Sequence, residues 1–201
     1  NLTGGDFNAL LTLKADFSKI KLNRIQEGRL DLNHSDRVQI GNGQNIRAAL
    51  NFTGLEAGHI DTLDLNLQHG SFTAGVCRLV TLDCNFGQVR FASVTGKLNA
   101  TTVSHSTVNA GMLSPDFSSV SLDASFSEIQ MKLASETAFD LDATAHFGDI
   151  KLNRAFSLLT DPRDNPSDYH TKKLIGPVNG GSRKTFTYEG QHSTLTIEPA
   201  R

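Results

Sequence analysis

The sequence predicts an all-β chain, a single-stranded, right-handed parallel β-solenoid of about nine rungs with 17–21 residues per coil. Three observations predict it: a recurring phrase, the spacing of its copies, and the way the positions around its centre sort by chemistry. The phrase is Phe17-Ser-Lys-Ile20-Lys-Leu22, and it returns as Phe86-Gly-Gln-Val89-Arg-Phe91, Phe126-Ser-Glu-Ile129-Gln-Met131 and Phe147-Gly-Asp-Ile150-Lys-Leu152. With weaker copies included, its central apolar residue falls at Ile20, Val38, Leu55, Phe72, Val89, Val108, Ile129 and Ile150, at spacings of 18, 17, 17, 17, 19, 21 and 21. Spacings of that size are coil lengths, with insertions growing toward the C-terminus.

Each element of the coil follows from one column of the repeat. Both neighbours of the central residue are polar or Gly in every copy, and two residues after it stand Leu22, Ile40, Ala57, Ala74, Phe91, Ala110, Met131 and Leu152. Such period-2 alternation describes a strand with one inward face. Two residues before the centre lie Ser18, Asp36, Thr53, Gly70, Gly87, Ser106, Ser127 and Gly148, all small or turn-forming, which predicts a corner. Five before it lie Ala15, Asn33, Leu50, Leu67, Cys84, Val103, Ala124 and Ala145, apolar except for Asn33. Three before it runs Phe17, Ser35, Phe52, His69, Phe86, His105, Phe126 and Phe147, which is read as an internal aromatic stack. An ordinary β-sandwich also alternates, but it gives no reason for corner and core columns to keep one register over eight segments.

One domain is expected over 1–201, with regular coils over 10–152, a long loop over 153–183 and a terminal rung over 184–198. The turn chemistry of Asp161-Pro-Arg-Asp-Asn-Pro-Ser-Asp168 and Gly180-Gly-Ser182 marks the loop, and Phe186-Thr-Tyr188 with Leu195-Thr-Ile197 marks the rung. At 201 residues the chain is long enough to bury a core without disulfides or metals.

The charge distribution restricts function more than the net charge of −2 does. Residues 1–48 carry seven Lys+Arg against five Asp+Glu, 49–152 carry five against eleven, and 153–201 carry seven against five. The long acidic middle argues against nucleic acid or an anionic membrane as partner, since both need a basic stripe. No run of eighteen apolar residues suggests a membrane span. The chain opens Asn1-Leu2-Thr3, so it is read as a processed segment whose signal peptide or lipid anchor would lie upstream.

In the Phe-Gly/Ser-x-Ile-x-Leu coil phrase and the ending from Phe147 through Gly180-Gly-Ser182 to Leu195-Thr-Ile197, residues 10–198 resemble the bacterial adhesin-type β-solenoids, including the head-GIN auto-transporter adhesin group. That resemblance implies export to the envelope of a Gram-negative bacterium: periplasm, outer membrane or surface. It carries over no catalytic residues.

Several residues invite a chemical role. His69 and His105 share a column, but two coils separate them by roughly 9–10 Å, too far to share one metal; they are read as core histidines stacked on Phe. Glu128 and Asp149 share an outward column and are placed on adjacent coils, about 5 Å apart, the separation a retaining glycosidase uses. With Lys151 beside them and no Trp in the chain, a solvated face is the preferred reading. Asp140-Leu-Asp142 is strand alternation rather than a calcium loop. Cys77 and Cys84 fall at inward offsets, with buried thiols preferred over a disulfide.

The expected function is thus a non-catalytic envelope or surface solenoid, adhesin-like, binding glycan or protein, with no catalytic, metal or cofactor-binding residues and no cofactor. A polysaccharide-degrading β-helix and a bactofilin-like self-assembling solenoid are the alternatives. Binding is expected on the irregular edge formed by 110–117, 134–138 and the 153–183 loop, since loops carry function more often than scaffolds do.

Overall fold

The computed structural model describes residues 1–159 and 170–200. These form a β-solenoid with no helix. Its strands are β1 (Leu2–Asp16), β2 (Ile20–Asn33), β3 (Val38–Asn51), β4 (Gly54–Gln68), β5 (Ser71–Asn85), β6 (Gln88–Ser104), β7 (Thr107–Leu113), β8 (Ser119–Ser125), β9 (Glu128–Leu133), β10 (Phe139–His146), β11 (Asp149–Leu152), β12 (Thr171–Val178), β13 (Thr185–Gln191) and β14 (Thr194–Pro199).

Each of β1 to β6 runs most of a coil, so that its two halves serve two faces of the solenoid. The first half of β6 pairs with β7 and its second half with β8, in parallel. The alternation read from the sequence fills the space between. Ile20, Val38, Leu55, Phe72, Val89, Val108, Ile129 and Ile150 are all buried, as are Leu32, Leu50, Leu67, Cys84, Val103, Ala124 and Ala145 on the other face. Strand pairs keep these columns aligned: Ile20 lies beside Val38, Val38 beside Leu55, Leu55 beside Phe72. Like residues therefore stack on like, and each coil completes the core of the one before it.

About seven turns follow one another in chain order, and then the order changes. On the first face the neighbours run β7-β9-β14-β11, and on the second β8-β13-β10-β12. In passing from β9 to β10 the chain skips a rung. The segment expected as a terminal rung, β13 and β14, returns to fill that gap: β13 lies in parallel between β8 and β10, and β14 between β9 and β11. The 184–198 rung is thus internal. The expected 153–183 loop is also not wholly irregular, because β12 pairs antiparallel with β10 and Leu158 bridges Val178. The Asp161–Asp168 turn chemistry lies outside the described residues.

The two insertions sit between β7 and β8 and between β9 and β10. An aromatic residue packs inward at each: Phe117 in the first insertion and Phe139, which opens β10 after the second, are buried with their centroids 6.1 Å apart, and Phe139 stands 5.8 Å from Phe186 of the returning rung. Among the described residues, part of the edge expected to bind a partner therefore serves packing. Cys77 and Cys84 are free, buried thiols.

Phe186 joins the returning rung to this cluster, so Phe186→Ala is expected to lower stability by about 3–5 kcal/mol in guanidinium denaturation. Outward Lys21→Asp should change it by no more than about 0.5 kcal/mol. Equal effects would show that inward and outward are wrongly assigned.

Burial pushes the Cys77 thiol from its ordinary 9.0 up to about 12, and raises that of Cys84 as well. The folded chain keeps protons that the unfolded chain releases above pH 9. The thiols' contribution to stability is therefore full below pH 9 and lost as pH rises toward 12. Denaturation midpoints should fall over that range, and a thiol reagent at pH 8 should label both cysteines only after unfolding.

Candidate binding surface

The corner column departs furthest from the sequence expectation. Phe17, His34, Phe52, His69, Phe86, His105, Phe126, Phe147 and His192 all have positive φ, between 45° and 52°. For bulky L-residues that region is strained. Here it is imposed from both sides of the residue. Each of these backbone N–H groups donates to a carbonyl of the neighbouring coil, as Phe52 N does to Gln68 O at 3.0 Å and His69 N to Asn85 O at 3.0 Å. The residue that follows is small and turns inward. Ser35, Thr53, Ser106, Ser127 and Ser193 are buried, and each hydroxyl donates to the carbonyl two residues earlier, as Ser106 Oγ does to Ser104 O at 2.6 Å. The same oxygens accept N–H groups from the adjacent coil: Ser35 N to Thr53 Oγ1 at 3.2 Å, Ser106 N to Ser127 Oγ and Ser127 N to Ser193 Oγ at 3.0 Å each. Where the column is glycine, close approach explains it, since a Cβ on Gly148 would run into the Ser193 carbonyl.

With the small side chain inside, the aromatic one must point out. The Phe column is therefore not internal: Phe17, Phe52, Phe86, Phe126 and Phe147 are 81, 51, 51, 54 and 56% exposed. His69 and His105 are exposed as well, which corrects their reading as core histidines. His34, not Ser35, occupies the column in the second coil, because that coil's extra residue comes after the corner. The rings form one continuous stack in the order Phe17, His34, Phe52, His69, Phe86, His105, Phe126, His192, Phe147, His170, with centroids 4.7–5.1 Å apart and planes within 24°. Phe and His alternate without exception across these ten rings. Five of the chain's seven His and five of its 12 Phe stand in this one ladder. Because neighbours cover both faces of every interior ring, the exposed part is edge.

The other candidates do not come together. Glu128 and Asp149 are not on adjacent coils, because Thr194 of β14 pairs with both positions and separates them by a full rung. Each is engaged elsewhere. Gln130 Nε2 donates to Glu128 at 2.7 Å, and Lys172 Nζ donates to Asp149 at 2.6 Å, holding that carboxyl below its ordinary range. His69 and His105 are separated by Phe86. Among the described residues no group of three or more His, Cys, Asp or Glu is placed to hold a metal ion, and no helix is long and apolar enough to cross a membrane. No protein-family model, curated protein or solved structure matches the chain.

The ladder's position makes its residues cheap to replace by core standards. Phe86→Asn removes two ring contacts of about 0.5–1.5 kcal/mol each but installs a residue that accepts positive φ. A net loss of about 1 kcal/mol is expected, against about 2–5 kcal/mol for Leu65→Ala in the core. Guanidinium denaturation of both variants checks the ordering, and Phe52→Asp should likewise remain folded.

Proposed function

We propose that this chain is a non-catalytic, adhesin-like binding domain of the cell envelope or surface, and that the exposed Phe/His ladder is the surface with which it engages a glycan or protein. The ladder is the observation that carries the reading. Its five Phe rings alone leave on the order of 600 Å² of apolar surface in solvent, as much as the largest patches on ordinary monomers, and such patches mark interaction sites. Nine strained corners are maintained to present it, and strain of this kind concentrates where function needs it. The separation of Glu128 from Asp149 removes the carboxylate pair that favoured a polysaccharide-cleaving alternative. Resemblance of the coil phrase to exported solenoids supports placement in the envelope.

The test is a panel of bacterial and host polysaccharides and surface proteins presented to the intact chain and to the Phe52→Asn/Phe86→Asn/Phe126→Asn variant. Binding by the intact chain, weakened at least about tenfold in the variant, with no reducing or unsaturated ends released, is the expected result. Release of such ends, abolished by Glu128→Gln or Asp149→Asn, would replace this reading with an enzymatic one.

A further inference from the structure

We propose that the ladder is the contact surface of an antiparallel pair of copies of this chain, in which every Phe of one copy meets a His of the other. This rests on the ladder being the binding surface and names its partner. Four features of the ladder converge on a second copy.

The first is area. With on the order of 600 Å² of exposed Phe surface per copy, two facing ladders cover roughly 1,200 Å² before the imidazoles are counted, the lower bound of a stable specific interface. The second is period. Ring spacings of 4.7–5.1 Å are set by the rungs, and a partner must match them along the whole length. A helix, advancing about 5.4 Å per turn, slips by nearly a rung over nine spacings, whereas another solenoid at about 4.8 Å per rung stays in step.

Parity is the third. Ten strictly alternating rings with Phe17 at one end and His170 at the other are self-complementary under a twofold axis across the ladder. Phe86 then faces the second copy's His105, and Phe52 faces the second copy's His192. An odd number, or a parallel arrangement in register, would put Phe on Phe and His on His. Isologous pairing of this kind is the commonest form of self-association.

The last is the charge beside the ladder. The column two residues after the rings of the parallel rungs is basic at Lys19, acidic at Asp36, Glu128 and Asp149, and uncharged at Gly54, Ser71, Gln88, Thr107 and Thr194. Two of the acids have a cation at hand: Arg37 follows Asp36, and Lys172 Nζ donates to Asp149 at 2.6 Å. In the antiparallel register Glu128 lies opposite the second copy's Ser71, and the neighbouring Asp36 and Arg37 lie opposite the second copy's Asp149–Lys172 pair, so no uncompensated like charges meet, and the middle, where the copies are closest to the axis, carries no charge.

Sedimentation equilibrium of the intact chain should give twice the 21.8 kDa chain mass. In Phe52→Asn/Phe126→Asn, with circular dichroism unchanged, the dimer dissociation constant should rise at least about tenfold. Orientation is read by disulfide trapping, which the buried Cys77 and Cys84 do not disturb: Ser71→Cys mixed with Glu128→Cys should cross-link, and Ser71→Cys alone should not. Cross-linking of Ser71→Cys with itself would overturn the antiparallel arrangement. A monomeric intact chain whose ladder variant nevertheless loses glycan or protein binding would overturn the dimer and leave the ladder as the binding surface. A monomer whose ladder variant loses nothing would overturn both.

Discussion

The left-handed corner is the constraint on which the rest of the structure depends. A phenylalanine or histidine at φ near 50° costs roughly 1–2 kcal/mol, and the solenoid contains nine of them in one line. No single coil could hold that conformation, because the groups that stabilise it belong to its neighbours: the carbonyl that accepts the corner N–H, the hydroxyl that accepts the next N–H, and the rings above and below. Each coil thus makes the adjacent corner possible. The stability of such a structure lies in contacts between successive repeats rather than within them, and a hydroxyl ladder inside with a ring ladder outside is how this sequence supplies those contacts at its tightest turn.

The two ends of the solenoid answer the same demand differently. At the start, β1 has a neighbour on one side only, and its inward residues Phe7, Leu11, Leu13 and Ala15 are only partly buried. At the far end the chain skips a rung, folds β12 antiparallel along β10, and only then threads β13 and β14 into the vacant place. Both strands are paired on two sides, so the skipped rung leaves no internal edge of the kind that invites unwanted pairing. Completion depends on the most distant contacts in the repeat, such as Ser127 N with Ser193 Oγ, 66 residues apart. Contacts at such separation carry a loop-closure cost that local pairings do not, and pairing both strands on two sides offsets it.

The fold was legible in the sequence because parallel stacking forces like residues into columns, and columns survive the loss of exact repeats. Ile20, Val38, Leu55 and Phe72 could be aligned without a structure. Two things were not legible. A pairing order in which β14 lies between β9 and β11 leaves no trace in spacing, since the phrase Leu195-Thr-Ile197 reads the same at the end of a stack as inside it; by spacing alone Glu128 and Asp149 therefore fall one rung too close. The aromatic column hides for a different reason. On hydrophobicity Phe17, Phe52 and Phe86 read as inward, whereas the corner resets the alternation at that point. The available signal is the histidine at every other coil, His34, His69 and His105, because a core does not take imidazoles in a line, each needing a polar partner, and an exposed ladder takes them readily.

Exposure of ring edges, rather than ring faces, decides what the ladder can recognise. An aromatic platform for a sugar or a cation offers its face, where the negative lobe of the quadrupole lies; in this stack those faces are spent on neighbouring rings, so a glycan or a protein alike meets ring edges and imidazole nitrogens. What remains is a straight ridge, about nine rungs long, of slightly positive C–H edges interrupted at every second rung by imidazole nitrogens. Such a ridge reads length and periodicity more than local shape, and it rewards a partner that is equally straight and equally spaced. The strain at the corners and the regularity of the coils are then one property seen twice: the backbone that forces each ring outward is also what spaces the rings evenly enough for the whole ridge to act together.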